Sequence, residues 1–246
     1  ISIEAWVYLE GSAVDPGGTA TYSVPMRTDL NDLRILPGQT YFDFFLGIYY
    51  TSSGQPYNQA PWNYSGGEGS GFDSNGSPIF ADAGYPTTVT DWVLVSLRDN
   101  PNGTGGAICQ KAALLHKDGT IEFVSGGFDC CNIDVNASYY LVIEHRNHLI
   151  IMSPTAIPIV NGTITFDFRV TQGYINDPFG FGQFYGQKEI LPGIFAMHAG
   201  NGNQTLSTQS DTDINFDDRS YWESQNGTIG RYRIGDYNLN GDTNFN

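Results

Sequence analysis

Apolar positions are densest between residues 90 and 152, where three hydrophobic runs follow one another. Residues 90–99 (TDWVLVSLRD) form the first. Residues 105–124 (GGAICQKAALLHKDGTIEFV) form the second and fold back at Lys117-Asp118-Gly119. Residues 138–152 (SYYLVIEHRNHLIIM) form the third, which is the most apolar. Val, Ile, Leu, Tyr and Trp dominate, and turn residues bound the runs at 100–103, 118–119 and 126–127. Short β-branched and aromatic runs between Gly, Asn, Asp and Pro clusters read as strands. The unbroken apolarity of 92–95 and 141–143 predicts central strands buried on both faces.

The flanking segments extend the β pattern. Residues 1–10 alternate, with Ile1, Ile3, Ala5, Val7 and Leu9 on one face. Residues 26–36 (MRTDLNDLRIL) predict a loop with one helical turn, and residues 41–50 (YFDFFLGIYY) an aromatic strand. The polar stretch 51–88 carries Tyr57, Trp62, Tyr64, Phe72, Phe80 and Tyr85 among Gly, Ser, Asn and Pro. Long compact loops pack on their own side chains, so packing onto the core is the favoured reading of these rings, with sugar stacking as the alternative. Residues 153–159, with two prolines, predict an edge or a crossover. Residues 161–170 alternate with one wet face, and 187–198 give a further strand after Pro192-Gly193. From residue 200 aliphatics thin out while Asn, Asp, Gly and Thr crowd in. The expected fold is mainly β: an antiparallel β-sandwich, Greek-key/Ig-like or jelly-roll-like, over 1–199 with the long aromatic loop 51–88. A small calcium-loop region over 200–246, incomplete at its C-terminal end, would follow.

Charge narrows the partners. Eleven Lys and Arg stand against 26 Asp and Glu, a formal net charge of −15. Such a surface repels nucleic acid and anionic membrane, and suits cation binding or solubility outside the cell. No apolar run approaches the ~18 residues of a spanning helix, so no membrane insertion is expected. The chain starts in strand pattern at Ile1, which reads as a processed mature end or a fragment boundary. Cys109 pairing with Cys130 or Cys131 suits an extracellular setting; a vicinal Cys130–Cys131 bridge or free thiols are the alternatives. Sequons at Asn63, Asn75, Asn102, Asn136, Asn161, Asn203 and Asn226 matter only where the host glycosylates asparagine, and Asn-Gly-Thr is also ordinary turn sequence.

The most chemical motif is C-terminal. Asp236, Asn238 and Asn240 stand at loop positions one, three and five, Gly241 at six, and Asn244 at nine, with Asp242 between. This is the spacing by which an EF-hand-type loop wraps calcium, with glycine making the sharp turn. The acidic residue of position twelve would fall after residue 246. An internal repeat, Asp213-Ile214-Asn215-Phe216 against Asp242-Thr243-Asn244-Phe245, points to a first loop. Asn201 and Asn203 would open it, Asp213 and Asn215 continue it, and Asp218 close it, with 204–210 inserted. Residues 218–225 would then be a short helix. A turn rich in Asp, Asn and Gly without metal is the plain alternative.

The order of TDWVLVSLRD, AALLHKDGTIEF, YYLVIEHRNHLIIMSPTAI, GQKEILPGIFAMHAGNGN and the DxNxNG repeat resembles secreted bacterial surface proteins. In these a β module precedes dockerin-like calcium repeats. The resemblance covers roughly residues 91–246, with a weaker echo in AWVYLEG near the start. It implies location and architecture, and it transfers no catalytic residue.

Catalytic constellations are thin. His145 and His148 lie three apart on a strand or its end and would face opposite sides. No Gly-x-Ser-x-Gly or His-Glu-x-x-His occurs. Glu144, Asp43 and Asp167 are possible glycosidase carboxylates only in the sense that any acidic chain offers pairs. The expectation is therefore a non-catalytic extracellular structural or adhesive protein that joins copies of itself, or other cell-surface components, into a fibre or array. Residues 1–10 are the candidate for strand addition. A glycan-binding module using Tyr57, Trp62 and Tyr64 is the alternative, and a glycoside hydrolase the remoter one.

Overall fold

Nine of the ten residues of β4 (Val89–Arg98) are buried, and this strand is the middle of the largest sheet. The computed structural model describes residues 1–15, 21–73, 84–101, 106–124, 126–128, 133–175, 186–204 and 214–244. Strand β4 pairs antiparallel with β5 (Cys109–His116) on one side and β7 (Ser138–His145) on the other. The short β6 (Ile121–Glu122) extends the sheet beyond β5 after the turn at Lys117–Gly119. Strands β8 (His148–Met152) and β9 (Ile157–Pro158) share the far edge of β7. Each fully buried Val or Leu here contributes about 1.5–3 kcal/mol, so the continuous apolar runs fix which strands become central.

Smaller two-stranded sheets complete a mainly β fold. Strand β1 (Ser2–Trp6) lies parallel to β10 (Thr163–Asp167), an exception to the expected antiparallel rule. Ile3, Ala5 and Val7 turn inward as the alternation predicts. Strand β1 stops earlier than expected, because residues 10–13 wind into a helical turn, α1 (Glu10–Ala13). The predicted single turn near residue 30 is α2 (Asp29–Asp32), pinned by Leu30 in the core.

Two aromatic and aliphatic runs read as single strands are hairpins. Residues 41–50 split into β2 (Thr40–Asp43) and β3 (Gly47–Tyr50). The break falls at Asp43, whose Oδ1 accepts the amides of Phe45 and Leu46, each at 2.7 Å, making an Asx turn. Residues 187–198 split likewise into β11 (Gln187–Leu191) and β12 (Ile194–Met197) around Pro192-Gly193, with Gly193 at φ +72°. One longer helix, α3 (Phe216–Gln225), follows near the C-terminal end.

Candidate functional site

Asp91 sits on β4 with no solvent exposure, a carboxylate within an apolar run. Its Oδ1 accepts the Tyr232 hydroxyl at 2.6 Å and the Trp92 amide at 2.8 Å. Its Oδ2 accepts Arg146 Nε at 3.0 Å and His145 Nε2 at 3.2 Å. Burial alone would raise the Asp91 pKa; the Arg146 guanidinium, with His145 and Tyr232, holds it far below the usual carboxylate range.

The β7–β8 hairpin supplies two of these four donors, and it corrects the expectation for the histidines. His145 and His148 are paired across the hairpin, so their Nδ1 atoms stand 2.9 Å apart rather than on opposite faces. The proton positions follow from the donors. The Gly11 amide donates to His148 Nε2, so His148 carries its proton on Nδ1, facing His145 Nδ1. His145 then accepts at Nδ1 and donates from Nε2 to Asp91. Burial lowers the pKa of both imidazoles, which keeps them neutral.

The same turn holds the C-terminal region. Arg146 donates to the Arg233 carbonyl and stacks on the Tyr232 ring, 4.2 Å from its centroid. Asn147 Nδ2 donates to the carbonyls of Ile234 at 2.9 Å and Asp236 at 2.7 Å. Arg27 Nη2 reaches the Asn238 carbonyl at 2.6 Å, and Leu239 is buried in the main core. At Gly11 a Cβ would stand 2.0 Å from the Tyr237 carbonyl oxygen, so only glycine lets α1 approach this segment.

The loop 236–244 is thereby fixed at its first residue. The Asp236 carboxylate turns into its own loop, accepting the amides of Asn240 at 3.1 Å and Gly241 at 2.9 Å. Asn240 Oδ1 accepts the Asp242 amide, and Asp242 Oδ1 accepts the Gly230 amide. Gly241 has φ +86°, the left-handed turn read for position six. Burial, only partly offset by Arg146, raises the Asp236 pKa to about 6. Asn238 and Asn244 are half-buried on the same loop. Among the described residues no three His, Cys, Asp or Glu side chains converge as a metal cluster. A calcium ion here would rest on two carboxylates, Asp236 and Asp242, with amide oxygens from Asn238, Asn240 and Asn244. That donor set fits a hard cation that prefers oxygen.

At the repeat, Asn215 and Asp218 form a capping box for α3: Asn215 Oδ1 accepts the Asp217 amide and Asp218 Oδ2 the Asn215 amide, each at 2.7 Å. Asp218 Oδ1 accepts the Asn203 amide at 2.9 Å, closing the segment on itself. Asn201 is buried beside Asn147, to whose carbonyl its amide donates. Asp213 lies outside the described residues.

The aromatic segment packs on the sheet. Tyr57 is fully buried and donates to the Trp92 carbonyl at 2.8 Å, which leaves no ring face for a sugar. Trp62 meets Tyr57 edge-on at 5.0 Å, and Tyr64 donates to Glu68. The three carboxylates weighed for glycosidase chemistry have separate partners: Glu144 beside Arg98, Asp43 in its Asx turn, Asp167 with Arg169. Cys109 is buried at the start of β5, while Cys130 and Cys131 fall outside the described residues. Among the sequons, Asn63, Asn136, Asn161 and Asn226 are exposed and Asn203 half-buried; Asn75 and Asn102 also fall outside.

The sequence reading missed Asp91, Arg146 and Tyr232. Asp91 inside TDWVLV was the available signal, since a buried charge within an apolar strand needs a partner. No family model matches the chain, and no curated protein matches it either. Among solved structures, a chain of a type II cohesin–X-dockerin complex from Acetivibrio cellulolyticus is similar over 62% of this chain and 72% of that one. The identity is 16% and the TM-score 0.32.

Proposed function

We propose that this chain is a non-catalytic extracellular structural or adhesive subunit that associates with copies of itself, with calcium held in the loop 236–244. The observation that supports it is the β2–β3 hairpin. Phe44 is 84% and Phe45 91% exposed, and Phe42, Leu46, Ile48 and Tyr50 are exposed beside them. Exposed apolar surface of this kind, on a two-stranded sheet with no further strand partner among the described residues, marks an interaction site. A second copy offers a receptor: a cleft of about 570 Å³ between β1 and β6, lined by Ile3, Ile121 and Phe123 among others. Hairpin into cleft is a head-to-tail contact, which propagates into a filament unless the rotation closes. From residues 1–10, Ile3 enters this reading as part of the receptor's lining. Secretion to the cell surface suits the acidic, weakly charged composition. Cys109 pairing with Cys130 or Cys131 suits the same setting.

Negative-stain electron microscopy and light scattering in calcium test this. Filaments or sheets are expected from the unaltered chain, and dispersed monomers from a Phe44→Ser/Phe45→Ser variant. A monodisperse monomer at high concentration, or a variant that assembles unchanged, would overturn it.

A further inference from the structure

A second cleft, of about 320 Å³, lies between the β2–β3 hairpin and the segment 230–233 that Arg146 holds in place. Its walls include Tyr41, Tyr49 and Tyr50 from the hairpin, Thr51 and Ser52 directly after it, and Arg231 and Arg233 from the C-terminal segment. The volume lies at the small end of ligand pockets, the size of a terminal sugar or disaccharide.

Two of the chain's eleven Lys and Arg meet at this cleft. Six of the other cations, Arg27, Arg98, Arg146, Arg169, Lys188 and Arg219, are each paired with a carboxylate. Arg231 and Arg233 make no carboxylate pair among the described residues. Three acids stand nearby, each with its own donors: Asp43 accepts the amides of Phe45 and Leu46, Asp73 the Tyr50 hydroxyl at 2.7 Å, and Asp242 the Gly230 amide. Arg231 lies over the face of Tyr49 and donates from Nη1 to the carbonyls of Ile229 and Gly230. Stacking and these bonds fix its guanidinium, while Nε and Nη2 have no protein acceptor among the described residues. A guanidinium held rigid with donors to spare is suited to a planar carboxylate. Gly230 adds to the build of the cleft: a Cβ there would stand 2.3 Å from the Tyr41 ring, so the backbone rests against that ring only because the residue is glycine.

We infer that the cleft between Tyr49, Tyr50, Arg231 and Arg233 binds an acidic saccharide unit, with a sugar carboxylate on the arginines and hydroxyls toward Thr51 and Ser52. A saccharide is favoured over an acidic peptide because the walls combine aromatic and hydroxyl-bearing residues around only about 320 Å³. The cleft shares Tyr50 with the assembly face, but the inference does not rest on the assembly reading.

Calorimetric titration of the full chain with digalacturonic acid tests the inference, run also on the Phe44→Ser/Phe45→Ser variant so that assembly cannot mask or mimic binding. Saturable binding is expected in both, at least tenfold tighter than for a neutral digalactoside. Arg231→Gln and Arg233→Gln should each weaken it at least tenfold with an unchanged melting temperature. Arg233→Lys should recover only part, because an ammonium cannot match the carboxylate bidentately. A sulfated galactose that binds as tightly would show that the site reads negative charge without the carboxylate and would overturn the stated ligand. So would equal affinity for the neutral sugar, equal affinity for a short polyglutamate, binding unchanged in both Gln variants, or no binding at all.

Discussion

The hydroxyl of Tyr232 donates to Oδ1 of Asp91 at 2.6 Å across 141 residues of sequence. This bond joins the central strand to the C-terminal segment, and through Arg146 and Asn147 it sets where the loop 236–244 stands. Tyr232→Phe removes one donor and leaves Asp91 with Arg146, His145 and the Trp92 amide. The expected loss is about 1–2 kcal/mol, as for a hydrogen bond to a charged group, read as a lower urea midpoint with unchanged slope. Asp91→Ala should cost about 3–5 kcal/mol, because Arg146 is then a buried charge without its partner.

Stability should fall as pH rises from mildly acid to neutral. Glu144 is buried on β7, and burial, against the weaker pull of Arg98, raises its pKa from 4.5 to about 7. Asp236 moves the same way, to about 6. Between the ordinary carboxylate values and these, the folded chain binds more protons than the unfolded one, so stability declines with rising pH across that window. At about 1.4 kcal/mol per pKa unit, the combined loss across the window amounts to a few kcal/mol. Asp91 and Glu10, whose values are depressed, act oppositely, and their contribution disappears as pH drops below the ordinary carboxylate range. Urea midpoints across pH 3–8 should therefore peak near the ordinary carboxylate values, and Glu144→Gln should flatten the neutral limb.

Calcium should bind the loop 236–244 in competition with protons. Occupation at a hundredfold excess over Kd adds about 2.7 kcal/mol, and apparent affinity should drop below about pH 6 as Asp236 takes up its proton. Chelation should lower amide-exchange protection in 214–244 first, with the tip of the β7–β8 hairpin following through Asn147, while β4 and β5 stay protected. Uniform loss of protection, or no calcium effect, would refute this.

Gly241→Ala should destabilise the loop even without metal. The residue sits at φ +86°, and an added Cβ would stand 2.8 Å from side chains of Leu33 and Ile35. The backbone strain is about 1–3 kcal/mol, with the clash in addition. Thermal unfolding in chelator isolates this from any change in ion affinity.

Non-reducing peptide mapping should find Cys109 joined to Cys130 or Cys131. Recovery of Cys109 as a free thiol from oxidised, secreted material would remove that expectation.

The local pattern by itself determined the central strands. Runs such as WVLV and LVI have no wet face, so burial on both sides was the only stable placement, and β4 and β7 stand there. The glycine-punctuated turns at 118–119 and 192–193, the helical turn near Leu30 and the left-handed Gly241 were also legible, because each depends on a few neighbouring residues. Tertiary structure decided the rest. Whether 41–50 is one strand or a hairpin turned on a single carboxylate, Asp43, capturing two amides. Whether His145 and His148 face each other turned on a two-residue turn that the spacing alone could not reveal. The parallel β1–β10 pair, the docking of the C-terminal segment on Asp91 and the two arginines beside the tyrosine hairpin join residues far apart in the chain. Such contacts are set by which surfaces remain to be buried once the central sheet exists, and no local periodicity encodes them.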